Sequence, residues 1–125
     1  MAFVAVGVGA ALGAWLRWGL SVVLNSVVVD LPLGTLASNL IGGYLIGVAV
    51  EVVTSHSLLS PEWRLFIITG FLGGLTTFST FSAEAVGLLQ RQQYGWAMSL
   101  IFAHLVGSLT MTMLGIATVR GLWKA

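Results

Sequence analysis

Four long apolar stretches, roughly 3–24, 33–53, 64–89 and 96–119, fill almost all of this 125-residue chain and decide what it can become. A helix needs about 20 residues to cross the hydrocarbon core of a bilayer, so each stretch is of spanning length. Hydrophobic residues make up 58% of the chain and charged ones 7%. A water-soluble domain would carry about a quarter charged residues. The expected fold class is therefore an all-α integral membrane protein, a single domain over 1–125 with four transmembrane helices and short loops. No length remains for a soluble domain, and no nucleophile–base constellation can be assembled, so an enzyme is not expected. Cysteine is absent, which excludes disulfides and thiolate chemistry. A net charge of +1 gives no reason to expect a nucleic-acid partner. Met1–Leu24 has no basic start and is full spanning length, so it reads as a span rather than a cleaved signal peptide.

Four spans put the N-terminus, the 54–63 loop and the C-terminus on one side, together with Arg64, Arg120 and Lys124. Arg91 lies on the other side, joined by Arg17 if it reaches that interface. Orientation follows the Lys/Arg bias of short loops, and this bias is slight. The expectation is a protein that inserts both ways round. Three pairs, Gly9/Gly13, Gly43/Gly47 and Gly70/Gly74, have the GxxxG spacing that brings membrane helices into close contact. In the second loop, Ser60-Pro61-Glu62 reads as an N-cap, a first-turn proline and a first-turn acid for the third span. The five tryptophans read as interfacial anchors.

The third stretch contains an unusual run, Gly70 to Ser82, reading GFLGGLTTFSTFS. It carries three glycines, the pair Phe78 and Phe81, and five hydroxyl side chains between Thr76 and Ser82. Such a segment predicts an interrupted helix near Gly73–Thr76. Non-helical backbone survives at membrane depth only inside protein or beside a water-lined cavity. Its freed carbonyls suit a cation, and the amides and dipole of the following half-helix suit an anion. Phe78 and Phe81 share one helical face, and aromatic rings have a positive edge. Edges turned inward attract an anion without neutralising it, which suits conduction. Ser79, Thr80 and Ser82 surround that pair with hydroxyls.

Other spans add polar stripes. Thr35 and Asn39 lie four residues apart in the second, and His104, Ser108 and Thr112 repeat the spacing in the fourth. Hydroxyls and a side-chain amide can replace the water of a small anion. Serine and threonine also commonly bond the preceding turn's carbonyl, and for His104 an interhelical hydrogen bond is a more ordinary role than metal ligation. Arg17 and Glu84 are ionisable groups well inside spans, where charge is costly and by default functional. Arg17 reads either as an attractor of anions into a vestibule or as a snorkelling residue, and Glu84 as its partner or as a hydrogen-bond donor when protonated. Glu51 is expected at an interface.

Taken together, Gly13-Ala14-Trp15-Leu16-Arg17, the segment Gly34 to Gly42 (GTLASNLIG) and the run Gly70–Ser82 resemble the small bacterial fluoride channels, the Fluc or CrcB family. The resemblance covers all four spans. It implies an antiparallel, dual-topology homodimer in the bacterial inner membrane, exporting fluoride passively through two pores to relieve fluoride toxicity. It implies one central structural Na+ held by backbone carbonyls, which here belong to Gly73 and Thr76. It also implies pore-lining ring edges from Phe78 and Phe81, a pore asparagine at Asn39, and a polar track of His104, Ser108 and Thr112. Glu84 is implied as the track's neighbour and Arg17 as the basic residue near the vestibule. Two positions depart from the family pattern: Ser38 stands where an aliphatic residue is usual, and His104 where many relatives carry tyrosine. The alternative is a proton-coupled exporter of the small multidrug type, which needs a carboxylate in its first span; this first span has Arg17 and no acid.

Overall fold

The computed structural model describes residues 1–56 and 58–124. Ser57, within the expected second loop, and Ala125 lie outside the described residues, as does the Lys124 side chain counted in the charge bias. Helix α1 is Ala2–Leu24 and α2 is Leu33–Glu51, the latter continued by a wider π-helical stretch, Val52–His56. No residue at the start of α2 caps it. Instead Asn25 folds back so that its Oδ1 accepts from the amides of Gly34 and Thr35, at 2.7 and 3.3 Å. Two of the orphan donors of a helix start are thereby satisfied.

The third span opens as expected, with the Ser60 hydroxyl accepting from the Trp63 amide, Pro61 in the first turn and Glu62 beside it. Its first half, α3 (61–75), consists of Pro61–Arg64, a π-helical stretch Leu65–Leu72, and a closing turn Gly73–Leu75. Thr76 (φ −87°, ψ 152°) and Thr77 (φ −150°, ψ 118°) are then extended, and α4 restarts over Phe78–Gln90. The interruption thus falls at the threonines, at the downstream edge of the expected place, and the glycines stay helical. A three-residue turn, with Gln92 at φ 60°, leads into α5, Tyr94–Lys124. Four helical segments are long and apolar enough to cross a membrane: Ala2–Leu24, Leu33–His56, Pro61–Gln90 and Tyr94–Trp123.

All three glycine pairs lie at close contacts. A Cβ on Gly13 would fall on the Phe71 carbonyl oxygen, and one on Gly47 would fall on the Thr112 carbonyl oxygen. Between helices in lipid, close van der Waals contact of this kind takes the place of the hydrophobic effect. Two tight pairs result, α1 with α3 and α2 with α5. Helix α4 rests on α5 through buried Ala85, Leu88, Ala97 and Leu100. At the end of α2, Glu51 accepts from Arg120 Nε at 3.0 Å and from the Ser55 hydroxyl at 2.8 Å. Glu51 is 7% exposed, so it ties α2 to α5 rather than standing free at an interface. All five tryptophans face outward.

Candidate functional site

The interruption in the third span is held open by side chains from elsewhere. In a continuous helix the Thr77 amide would donate to the Gly73 carbonyl. Here it donates to Asn39 Oδ1 at 2.8 Å, and Asn39 Nδ2 returns a bond to the Thr77 carbonyl at 3.0 Å. This two-point clip treats an asparagine amide as if it were a neighbouring strand. One residue pair further on, the Thr80 amide donates to Thr77 Oγ1 at 3.1 Å, which caps α4. The Thr76 carbonyl therefore loses its helical donor too. Upstream, the Thr76 amide and hydroxyl both close on the Leu72 carbonyl, at 3.0 and 2.8 Å. The carbonyls of Gly73 and Thr76 are left without the N–H groups a helix would give them.

The clip also fixes the orientation of Asn39, because a backbone amide can only donate and a backbone carbonyl can only accept. The remaining Nδ2 proton points to His104 Nδ1 at 3.0 Å. Nδ1 must then accept, which leaves the proton of the neutral ring on Nε2. Nε2 is buried and has no partner among the described residues. Both N–H bonds of Asn39 are engaged, so its amide acts on the backbone and on His104 rather than offering a free donor. The His104 ring lies 4.6 Å from that of Phe81, and Phe81 meets Phe78 edge to face at 5.5 Å. Side chains from α2, α4 and α5 form one continuous group.

That group borders a cavity of about 650 Å³. Asn39, Phe78, Phe81 and His104 line it, and so do Ser108 and Thr112 one and two turns along α5. Gly73, Thr76 and Thr77 supply the wall at the interruption. Among the described residues no three His, Cys, Asp or Glu side chains come together as metal ligands. The oxygens on this wall come from backbone, hydroxyls and one amide, and the two stranded carbonyls belong to residues on it. The Thr112 hydroxyl bonds the carbonyls of Gly43 and Ser108, at 2.9 and 3.0 Å, so its proton is committed to backbone.

Six of the expected site residues lie outside the lining. Ser79 and Thr80 surround the Thr77 hydroxyl, at 3.2 and 3.1 Å. Ser82 is half-buried on α4. Thr35, one turn before Asn39, donates to Glu84 Oε2 at 2.6 Å, and Glu84 Oε1 is buried without a partner among the described residues. Arg17 Nε donates to the Gly74 carbonyl at 3.1 Å. Of the two roles the sequence left open for Glu84, pairing with Arg17 does not form: Arg17 bonds the Gly74 carbonyl and Glu84 accepts from Thr35. Ser38, the unusual residue beside Asn39, is buried and bonds the Gly34 carbonyl at 3.0 Å. Thr77, read from the sequence as part of the interruption, was not among the expected site residues; its pairing with a residue 38 positions away was not visible there.

Residues 4–116 match the family described as CrcB-like protein, Camphor Resistance (CrcB). The chain is 64% identical over 121 residues to a protein of Nitrosospira multiformis named fluoride-specific ion channel FluC, covering 97% of this chain and 94% of that one. It is 62% identical over 120 residues to a protein of the same name from Ralstonia pickettii, covering 96% and 95%. A third of that name, from Cupriavidus pinatubonensis, is 61% identical over 120 residues, again covering 96% and 95%.

Proposed function

The chain belongs to the CrcB family, and from that premise we propose that it is a fluoride-selective channel, through which F− leaves the bacterial cell passively across the inner membrane. The observation that carries this reading is the clip between Asn39 and Thr77, which holds a membrane helix open beside the rings of Phe78 and Phe81 and a buried imidazole N–H. Hydrogen fluoride enters cells from acid surroundings and dissociates inside, and the negative membrane potential drives the anion out. Passive export is useful only if chloride is refused.

The wall suits that demand. Its lining holds the hydroxyl of Ser108 and the ring of His104, whose unpartnered Nε2–H is buried behind the surface, and no fixed cation. Ring edges of Phe78 and Phe81 add weak positive potential along the same path. Binding of this kind is favourable enough for entry and weak enough for exit. Asn39 acts indirectly, by opening the helix and by keeping the His104 proton on Nε2. Thr35, Glu84, Ser79, Thr80 and Ser82 form the surrounding polar support. Purified protein in liposomes should therefore release trapped fluoride and hold chloride.

We further propose an antiparallel homodimer with one pore per subunit and one structural Na+ at its centre. The Gly73 and Thr76 carbonyls of each subunit would hold that ion, whose chemistry is a fixed positive charge joining the two interrupted helices. The donor set fits, since a hard cation prefers oxygen and these two carbonyls lack helical partners. Antiparallel subunits require insertion both ways round. Two C-terminal fusions, one active only in the cytoplasm and one only outside it, should both give signal; strong signal from one alone would refute dual topology.

A further inference from the structure

Helix α1 meets α3 along a stripe of three residues spaced four apart: Gly9, Gly13 and Arg17. The first two have no side chain. A Cβ at Gly9 would press on the carbonyl of Phe66, and one at Gly13 on the carbonyl of Phe71 and the amide of Leu75. The helices therefore approach to backbone contact, and the third residue of the stripe arrives beside the end of α3 instead of lipid. There its Nε–H donates to the Gly74 carbonyl, 57 residues away in sequence, at 3.1 Å. In a continuous helix that carbonyl would receive the Phe78 amide. Two extended threonines separate Gly74 from the helix that Phe78 begins. A stranded carbonyl at membrane depth is costly, and Arg17 supplies the missing donor.

We propose that Arg17 is a positioning residue rather than an anion attractor. By taking the Gly74 carbonyl it fixes the last turn of α3, and so orients the carbonyls of Gly73 and Thr76 on either side. Arg17 is absent from the cavity lining, as this assignment requires. The inference rests on the proposed sodium-bearing channel and adds to it a division of the stranded carbonyls. Gly74 is held by the protein, and Gly73 and Thr76 are left for the ion.

Three substitutions separate donor from charge. In Arg17→Gln the amide nitrogen sits as many bonds from Cα as Nε does, so the donor stays and the charge goes. Arg17→Lys keeps the charge with its nitrogen one atom further out, and Arg17→Met keeps neither. Full-length protein is assayed for fluoride efflux from liposomes and for the sodium concentration that half-maximally raises the melting temperature of the detergent-solubilised dimer. Loss of a hydrogen bond from a charged donor should lower efflux about tenfold in the Met variant and raise its sodium midpoint by a similar factor, with Gln within about threefold of the parent on both. Parent-like Lys with Gln and Met falling together would make Arg17 a charge and overturn the assignment. Parent-like behaviour of all three would overturn it as well. If the Met variant does not fold, the Gln–Lys comparison decides. A parent that releases no fluoride refutes the channel reading, and the sodium midpoint, read without transport, still judges Arg17. A parent that conducts but whose stability ignores sodium leaves the channel standing and overturns this role.

Discussion

Asn39→Asp should lower fluoride efflux by about 100-fold while the protein still assembles as the parent does. The substitution preserves one half of the clip, because a carboxylate oxygen can accept the Thr77 amide. It removes the two donors that now reach the Thr77 carbonyl and His104 Nδ1. Leaving a buried acceptor unsatisfied costs about 1–3 kcal/mol, and here there are two. His104 would then be drawn to place its proton on Nδ1, facing the new carboxylate. That move strips the cavity of its Nε2–H. The carboxylate also sets a negative charge where an anion must pass. Efflux from Asn39→Asp protein that matches the parent on gel filtration checks this, and unchanged efflux would place Asn39 outside the conduction machinery.

Phe81→Ile separates conduction from assembly. Isoleucine is apolar and bulky enough to occupy most of the site, so the contacts of α4 with α5 through Ala85, Leu88, Ala97 and Leu100 should persist. The aromatic edge is lost, together with ring contacts to His104 at 4.6 Å and Phe78 at 5.5 Å. Aromatic pairs of this kind contribute about 0.5–1.5 kcal/mol each, so losing two should lower the melting temperature by about 4–12 °C without unfolding the protein. Efflux should fall by about tenfold or more, since the ring is assigned to the path of the ion as well as to its wall. A melting temperature and an efflux rate on the same preparation suffice. Normal efflux would remove Phe81 from the pathway.

Local and compositional signals in the sequence were sufficient for the frame of the molecule. Apolar length gave four spans to within a few residues, Ser60-Pro61-Glu62 gave the start of the third, and the three glycine pairs gave the close helix contacts. These features depend on neighbours three or four residues away. Interruption of the third span was legible in kind and nearly in place: it falls at Thr76 and Thr77, at the downstream edge of the expected stretch, where Asn39 from another helix takes the Thr77 amide and carbonyl. The partners of buried polar groups were least legible. Arg17 bonds Gly74, Glu84 bonds Thr35, and Glu51 bonds Arg120, each across more than 45 residues. Helical periodicity places such groups on a face but does not choose among the donors and acceptors opposite. His104 illustrates both sides. Its place on a polar stripe could be read directly, whereas the fixed ring orientation follows from a clip that exists only in the folded chain.

Anion selectivity is the claim on which all of this rests. The decisive measurement is efflux from liposomes loaded with both fluoride and chloride, with valinomycin carrying potassium to balance charge and an electrode for each ion. Rapid fluoride release with chloride retained is the expected result. Equal release of both ions, or release of neither from a verified dimer, would contradict the account.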